Sequence, residues 1–222
     1  MIQELLYLIG EIFYPSRCLK CKKEITDRGV LCPVCRFMLH ERRFFRGLDY
    51  ECKFLDGFFI YYRYEGSMRE ALLQAKFFHR KSFVKKLAVE MENLSFSDLA
   101  GVWNLSEDTW VVPIPTDKNR AKARGFDLPQ EVFHSWTTKE KLKWKLCLKR
   151  IKGSEPQFGL NQQARKKNVI GCWQVCEAVV GRHILLVDDI FTTGATMNEA
   201  ARCLKEAGAA KVYAVALSGG KK

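Results

Sequence analysis

The sequence predicts an α/β protein with a mainly parallel sheet, preceded by a small cysteine-rich module. β-Branched and aromatic runs alternate with amphipathic helical segments along most of the chain, which is the pattern of strand–helix–strand units. Residues 184–187 form a continuous apolar run, typical of a parallel strand that is buried on both faces. Four cysteines fall within residues 18–35, ahead of the first predicted strand.

The composition indicates a folded chain. Of its 222 residues, 47% are hydrophobic, which is enough for a sizeable core and excludes general disorder. No apolar run reaches the roughly 18 residues of a membrane-spanning helix. We expect no secretory signal, because the apolar start carries Glu4 and Glu11 and no basic residue. Five of the nine cysteines lie outside residues 18–35, and unpaired thiols together with the absence of a signal favour a reducing compartment, the cytoplasm.

The formal charge is +12, and it is concentrated in one part of the chain. Residues 115–170 contain 14 Lys or Arg and 5 Asp or Glu, a net charge of +9. A solvated face is the ordinary reason for such a run of charge. The concentration favours a surface that binds polyanions such as nucleic acid or phosphorylated metabolites.

The predicted elements follow in order along the chain. An amphipathic helix is expected over residues 1–15. Strands are expected at 58–64, 110–114, 146–151, 184–187 and 211–217, and helices at 67–77, around 83–91, at 128–136 and at 195–207. Ser67 and Glu70 have the spacing of a capping box at the start of the first of these helices. We divide the chain into an N-terminal helix and metal-binding module, 1–45, and an α/β domain, 46–222.

The cysteine pattern predicts a structural zinc site. Cys18 and Cys21 form one Cys-x-x-Cys pair, and Cys32 and Cys35 form a second after ten residues. Two such turns complete a tetrahedron of thiolates that leaves no position open for a substrate. A pair of disulfides and a redox Cys-x-x-Cys are the alternatives. Both fit a cytoplasmic protein less well.

The segment 184–197 predicts a phosphate-binding turn. An apolar strand ends in Asp188 and Asp189, and a Thr/Gly turn then opens a helix. Backbone amides and a helix N-terminus favour a phosphate, and threonine hydroxyls add donors. The two acids require hydroxyl groups beside that phosphate, so a sugar phosphate satisfies both demands. An acidic strand end with a Thr-capped helix is the structural alternative.

This run resembles the phosphoribosyl pyrophosphate (PRPP) signature of type I phosphoribosyltransferases. The resemblance implies that Asp188 and Asp189 hold the ribose hydroxyls and that magnesium accompanies the pyrophosphate. It assigns the 5′-phosphate to the turn, Thr192, Thr193, Gly194, Ala195 and Thr196.

A longer series of motifs resembles the ComF family of competence-associated, zinc-finger phosphoribosyltransferase-like proteins. After the cysteine pairs come Val112–Pro115, Arg120–Phe126, Pro156–Leu160, Arg165–Asn168 and the PRPP run. The family string Arg-Gly-Phe-Asn-Gln reads Asp127 and Leu128 at its last two positions here. The resemblance implies a type I phosphoribosyltransferase-like fold and a role in uptake of single-stranded DNA in natural transformation, with other DNA-uptake proteins as candidate partners.

Basic residues after the 110–114 strand are candidates for anion contacts. Four cations occur in seven residues, Lys118, Arg120, Lys122 and Arg124, in what we expect to be a loop at the sheet edge of the PRPP turn. We assign them to single-stranded DNA, with Arg17, Arg28 and Arg36 of the cysteine module as the alternative site. Arg124, with Arg165 from a second loop that resembles a lid, would also stabilise the leaving pyrophosphate.

Three functions stay open on the sequence. One is a PRPP-binding protein of DNA uptake. The second is a salvage-type phosphoribosyltransferase, a glycosyltransferase that joins PRPP to a nucleobase. The third is a non-catalytic adapter that keeps the turn to bind a phosphate of nucleic acid. No residue pattern selects an acceptor.

Overall fold

A computed structural model describes residues 16–78, 80–152 and 168–220. The predicted helix at 1–15 and the candidate residue Arg165 lie outside these ranges. The described strands are β1 His40–Phe45, β2 Gly57–Arg63, β3 Trp110–Pro113, β4 Lys143–Trp144, β5 Leu148–Arg150, β6 Trp173–Val175, β7 His183–Phe191 and β8 Lys211–Gly219. The described α-helices are α1 Pro33–Leu39, α2 Gly66–Phe77, α3 Lys81–Met91, α4 Phe96–Trp103, α5 Lys118–Arg124, α6 Leu128–Lys139 and α7 Ala195–Glu206, and a short 3₁₀ helix spans Gly47–Tyr50.

Six strands form the main sheet in the order β1-β2-β8-β7-β3-β4. Only β1 and β2 pair antiparallel; the other neighbours are parallel. The predicted α/β fold with a mainly parallel sheet is therefore confirmed. Strands β5 and β6 form a separate antiparallel ribbon.

The register of β3 against β7 positions the candidate site. Pro113 lies opposite Val187, and the Ile114 amide donates to the Val187 carbonyl at 2.9 Å. Both strands point the same way, so their carboxyl ends meet at one edge. The segment that leaves β3 consequently starts beside Asp188.

The sheet separates two hydrophobic cores. Leu185 and Val187 of β7 pack with the helices α2, α3 and α6 on one face, whereas Ile184 and Leu186 pack with α7 on the other. All four residues are completely buried. Their continuous apolar run is explained by burial on both faces, as predicted.

The four helices predicted in the α/β part are present as α2, α3, α6 and α7, with one correction at a cap, whereas α4 and α5 were not predicted. Helix α2 begins at Gly66 with Glu65 at the N-cap and no side-chain capping bond. Ser67 lies buried inside the first turn, so the predicted Ser67–Glu70 capping box is wrong. The longest described helices have 12 residues, and none in the described ranges is long and apolar enough to cross a membrane.

The cysteine module packs directly against the α/β core. Cys18, Leu31 and Leu39 belong to the same buried cluster as Tyr61 and Leu87. Strand β1 lies inside the predicted 1–45 module and is an edge strand of the main sheet. The division of the chain at residue 45 stays a prediction.

Candidate functional site

The acid pair lies within strand β7. We expected the strand to end at this acid pair, but pairing with β8 continues to Phe191 opposite Gly219. Asp189 is buried, with 5% of its surface exposed, and Asp188 is half-buried. The two carboxyl groups are close enough to interact, because the negative charge of Asp189 acts on Asp188.

Lys76, from the last turn of α2, pairs with Asp189. Its Nζ lies 2.9 Å from Oδ1 and 2.8 Å from Oδ2, and both side chains are largely buried. The sequence analysis missed this partner. The sequence indicates that Lys76 faces inward, because it follows the buried Leu72 by four residues on the same helix face, but it does not indicate Asp189 as the partner. The negative charge of Asp189 is thus matched by the protein itself.

The Asp188 carboxylate is held by the backbone of the next residue. Its Oδ1 accepts the Asp189 amide at 2.8 Å. Desolvation of the carboxyl group, followed by the negative charge of Asp189, raises the pKa of Asp188 well above its usual range, although Lys76 opposes the shift. A ligand that donates hydrogen bonds to the carboxylate would reverse this shift.

The turn after β7 depends on Gly194. Gly194 has φ +74° and is the N-cap of α7, and the Ala195 amide donates to Thr193 Oγ1 at 3.4 Å. A Cβ at Gly194 would lie 2.3 Å from Cys52 Sγ and 2.7 Å from the Phe191 ring. Both the positive φ and the close packing therefore require glycine. The result is a tight turn that leads into a helix N-terminus, which favours an anion.

The four predicted loop cations lie on a helix, which corrects that expectation. Asp117 caps α5 by accepting the Asn119 and Arg120 amides, and Gly125 ends it with φ +77°. Four-residue spacing puts Lys118 and Lys122 together on the solvent side. Arg120 and Arg124 form a second pair and are half-buried.

The half-buried arginines lie near the acid pair. Burial lowers the pKa of Arg124, and the charge of Asp189 opposes this effect. Burial also lowers the pKa of Arg150, on which the charges of Asp117, Arg120 and Asp188 act. Arg150 Nε lies 3.8 Å from Asp117 Oδ2, and its guanidinium is 5.2 Å from the centre of the Trp173 ring. The sequence analysis missed Arg150, which a third element, β5, brings to the site.

The two departures from the family string have different surroundings. Leu128, the first residue of α6, is fully buried in the core. Asp127 precedes it, and its Oδ2 accepts the Thr116 amide at 3.0 Å. Position 128 is thus a packing position, and position 127 faces the segment after β3.

The four predicted metal ligands converge. All four Sγ atoms lie within 4.8 Å of one another, and Cys21 Sγ is 3.6 Å from Cys32 Sγ. A tetrahedron with bonds of about 2.3 Å has edges of about 3.8 Å, so the separations suit one ion. Cys18, Cys32 and Cys35 are buried and Cys21 is exposed. The cluster can hold a metal ion.

The surroundings of the cluster have opposite effects on the pKa of two of its cysteines. Burial opposes ionisation of Cys18, but the amides of Cys21, Cys32 and Lys20 outweigh it and lower the pKa of Cys18 to about 6. Burial, with the neighbouring thiols, raises the pKa of Cys35 to about 12. A bound cation would remove that second penalty, because a coordinating thiol is deprotonated by the metal.

A buried carboxylate connects the cysteine module to α3. Glu90 is completely buried; its Oε1 accepts the Val30 and Leu31 amides at 2.7 and 2.9 Å. Its Oε2 accepts Arg36 Nε and the Tyr62 hydroxyl, both at 2.7 Å. Arg36 is 8% exposed, so its assignment as an alternative DNA contact is wrong.

Comparison with known proteins finds a domain family, curated relatives and a solved structure that are similar to the chain. The family model of the phosphoribosyl transferase domain matches residues 141–221. Competence protein ComFC of Bacillus subtilis is 28% identical over 211 residues, 87% of this chain and 79% of that protein. DNA utilization protein YhgH of Escherichia coli is 32% identical over 106 residues, 46% of this chain and 45% of that protein. A phosphoribosylpyrophosphate synthetase structure from Mycobacterium smegmatis aligns with a TM-score of 0.33 and 20% identity, over 56% of this chain and 32% of that chain.

The parallel sheet, the acid pair with its glycine turn and the matched domain define a phosphoribosyltransferase-like protein. Its cysteine cluster precedes that domain. The chain is similar to proteins named ComFC, competence protein F and DNA utilization protein YhgH, which supports its assignment to the ComF family.

Proposed function

We propose that this protein binds PRPP in a ComF-type site and acts in the uptake of single-stranded DNA during natural transformation. One observation carries the proposal: an acid pair in β7 leads directly into a glycine-dependent turn and the N-terminus of α7. The names of the relatives, a competence protein and a DNA utilization protein, support the biological role.

The described residues fit the parts of PRPP. The turn Thr192–Thr196 takes the 5′-phosphate with its amides and hydroxyls. Asp188 and Asp189 accept hydrogen bonds from the ribose hydroxyls. The pyrophosphate then extends towards the half-buried Arg120 and Arg124. Magnesium, bound with the pyrophosphate, supplies additional positive charge.

Transfer from PRPP breaks the bond between the anomeric carbon and the pyrophosphate oxygen, and an acceptor forms the new bond to that carbon. Negative charge then grows on the leaving pyrophosphate, and Arg124 is placed to stabilise it, with Arg165 as a further candidate outside the described residues. Asp188 and Asp189 fix the ribose while positive charge develops on the ring. The acceptor remains unassigned, so a salvage-type phosphoribosyltransferase is the second candidate.

Calorimetry with PRPP and magnesium tests the proposal. We expect saturable binding by the wild-type protein, and a pyrophosphate-release screen over nucleobases then separates transfer from binding alone. Release with one base supports the salvage function. Binding of single-stranded DNA without any binding of PRPP supports the adapter and contradicts the PRPP site.

We predict one zinc ion per chain on Cys18, Cys21, Cys32 and Cys35. Four converging sulfurs form a closed structural set, so the ion should remain through purification without chelator. Elemental analysis should give a ratio near one. Replacement of Cys32 by Ser should abolish it, whereas replacement of Cys176, an exposed cysteine outside the cluster, should not. Zinc-free wild-type protein would contradict the assignment.

We predict that α5 separates two kinds of anion contact. Lys118→Gln with Lys122→Gln should lower the slope of log affinity against log salt for single-stranded DNA by about 1.4, since each phosphate contact contributes roughly 0.7. PRPP affinity should stay close to that of the wild type. Arg120→Gln with Arg124→Gln should weaken PRPP instead. Fluorescence anisotropy over a salt series measures the first effect and calorimetry the second.

Lys81→Gln with Lys85→Gln is the matched control, because these exposed lysines have the same spacing on α3. It should leave both affinities unchanged. An unchanged slope in the Lys118 and Lys122 variant would move the DNA contact to another surface, with Arg17 and Arg28 of the cysteine module as the next candidates.

A further inference from the structure

Asp127 has one carboxylate oxygen without a partner. It stands immediately before α6, and its Oδ2 accepts the Thr116 amide at 3.0 Å. Its Oδ1 is buried and has no hydrogen-bond partner among the described residues. A buried acceptor that carries charge and lacks a donor is costly. A proton on Oδ1 removes that cost and turns the atom into a donor.

Charged groups on two elements act on Asp127. Asp189 of β7 is the nearby anion, and it is paired with Lys76 of α2. Arg124 of α5 is the nearby cation, with Arg120 one turn before it. Burial raises the pKa of Asp127, hydrogen bonding from Thr116 opposes this, and the charge of Asp189 raises it further.

We propose that Asp127 takes up a proton when this site binds its polyanionic ligand, and that Oδ1 then donates a hydrogen bond within the site. The inference rests on the proposed function, because the ligand is PRPP. The added negative charge of the ligand raises the proton affinity of every carboxyl group close to it. Asp127 is poised for this uptake because its Oδ1 has no donor among the described residues that the proton would displace. It is a positioning residue and takes no part in bond cleavage.

The sign of the pH dependence follows from this order. The carboxyl group of Asp127 titrates at higher pH in the bound protein than in the free protein. At a pH between these two pKa values, binding consumes one proton. Affinity therefore falls as pH rises, by at most tenfold per pH unit. Below its pKa in the free protein, Asp127 is protonated in both states. Above its pKa in the bound protein, it is ionised in both states. The contribution vanishes at both limits.

Calorimetry in buffers of different ionisation enthalpy counts the protons directly. PRPP with magnesium is titrated into wild-type protein and into Asp127→Asn between pH 5 and 8. PRPP itself titrates in this range, and that contribution is common to both proteins. We expect the wild type to take up more protons than Asp127→Asn and to show the steeper decline of affinity with pH.

Asp117→Asn is the matched control. Asp117 is a carboxylate of the same segment, and asparagine preserves its cap on α5. This variant should keep the proton uptake of the wild type. Carbon-13 NMR of labelled aspartate in the wild type gives an independent reading, in which the midpoint of Asp127 moves to higher pH when PRPP is added.

Equal proton uptake by the wild type and Asp127→Asn, or an Asp127 midpoint that PRPP does not move, would overturn the inference alone. Absence of PRPP binding by the wild type would overturn the proposed function, and the inference with it.

Discussion

Replacing Asp188 and Asp189 together by Asn is expected to weaken PRPP binding by about two to four orders of magnitude. Hydrogen bonds to a charged group contribute roughly 1.5–3 kcal/mol each, and each 1.4 kcal/mol is tenfold in affinity. Asparagine keeps the shape and removes the charge. Calorimetry on the purified double variant measures the loss. Single-stranded DNA affinity should persist, because the exposed lysines of α5 are unchanged.

The ion pair between Lys76 and Asp189 gives the double variant a second expected effect, on stability. Asp189→Asn leaves the largely buried ammonium group of Lys76 without its partner, so the double variant should also lose thermal stability. Adding Lys76→Met should restore the melting temperature but not the PRPP affinity. Asp188→Asn alone leaves the ion pair intact and should weaken PRPP without lowering stability. A folded double variant that binds PRPP as tightly as the wild type would refute the ribose assignment.

Glu90→Gln is expected to destabilise the protein by about 3–5 kcal/mol, the usual loss when one partner of a buried ion pair is removed. Glutamine offers only one acceptor oxygen, whereas Glu90 uses both oxygens for two amides, Arg36 and Tyr62. Among the described residues, Asp27, at 2.5 Å, is then the one anionic partner that Arg36 keeps. Urea denaturation measures the free energy of unfolding, and metal retention reports the cysteine module at the same time.

An exposed carboxylate of the same module provides the comparison. Glu24 lies 3.8 Å from Arg17, and both side chains are more than 60% exposed. Such a surface pair contributes at most about 1 kcal/mol, so Glu24→Gln should change stability little. A loss as small as this in Glu90→Gln would show that the buried network does not hold the module in place.

Local sequence patterns predicted the features that depend on residues close together in the chain. The apolar run 184–187 indicated a doubly buried strand, and the doubled cysteine spacing indicated one metal cluster. Helix α5 was missed, although Asp117 and Gly125 are ordinary cap residues at its two ends. Only seven residues long and without a buried side, it lacks the apolar periodicity by which helices are recognised.

The partners of the site residues were beyond sequence reasoning for a different reason. Lys76 lies 113 residues from Asp189, and Glu90 lies 60 residues from Val30. Pairs so far apart in the chain cannot be recognised from the local sequence, because a charged residue on a helix is usually exposed to solvent. Such pairings exist only once the sheet has brought its elements together.

The position of β8 between β2 and β7 determines when that can happen during synthesis. Gly57 of β2 pairs with Tyr213 of β8, so β2 can form this pairing only after β8 has been synthesised. At about 5–20 residues per second, the roughly 150 intervening residues take on the order of ten seconds on the ribosome. Through that interval the apolar strand β2 has no partner on its inner edge. A nascent chain that stops before residue 211 would leave β2 and β7 without the strand that joins them, and such a fragment would depend on chaperones to remain unaggregated.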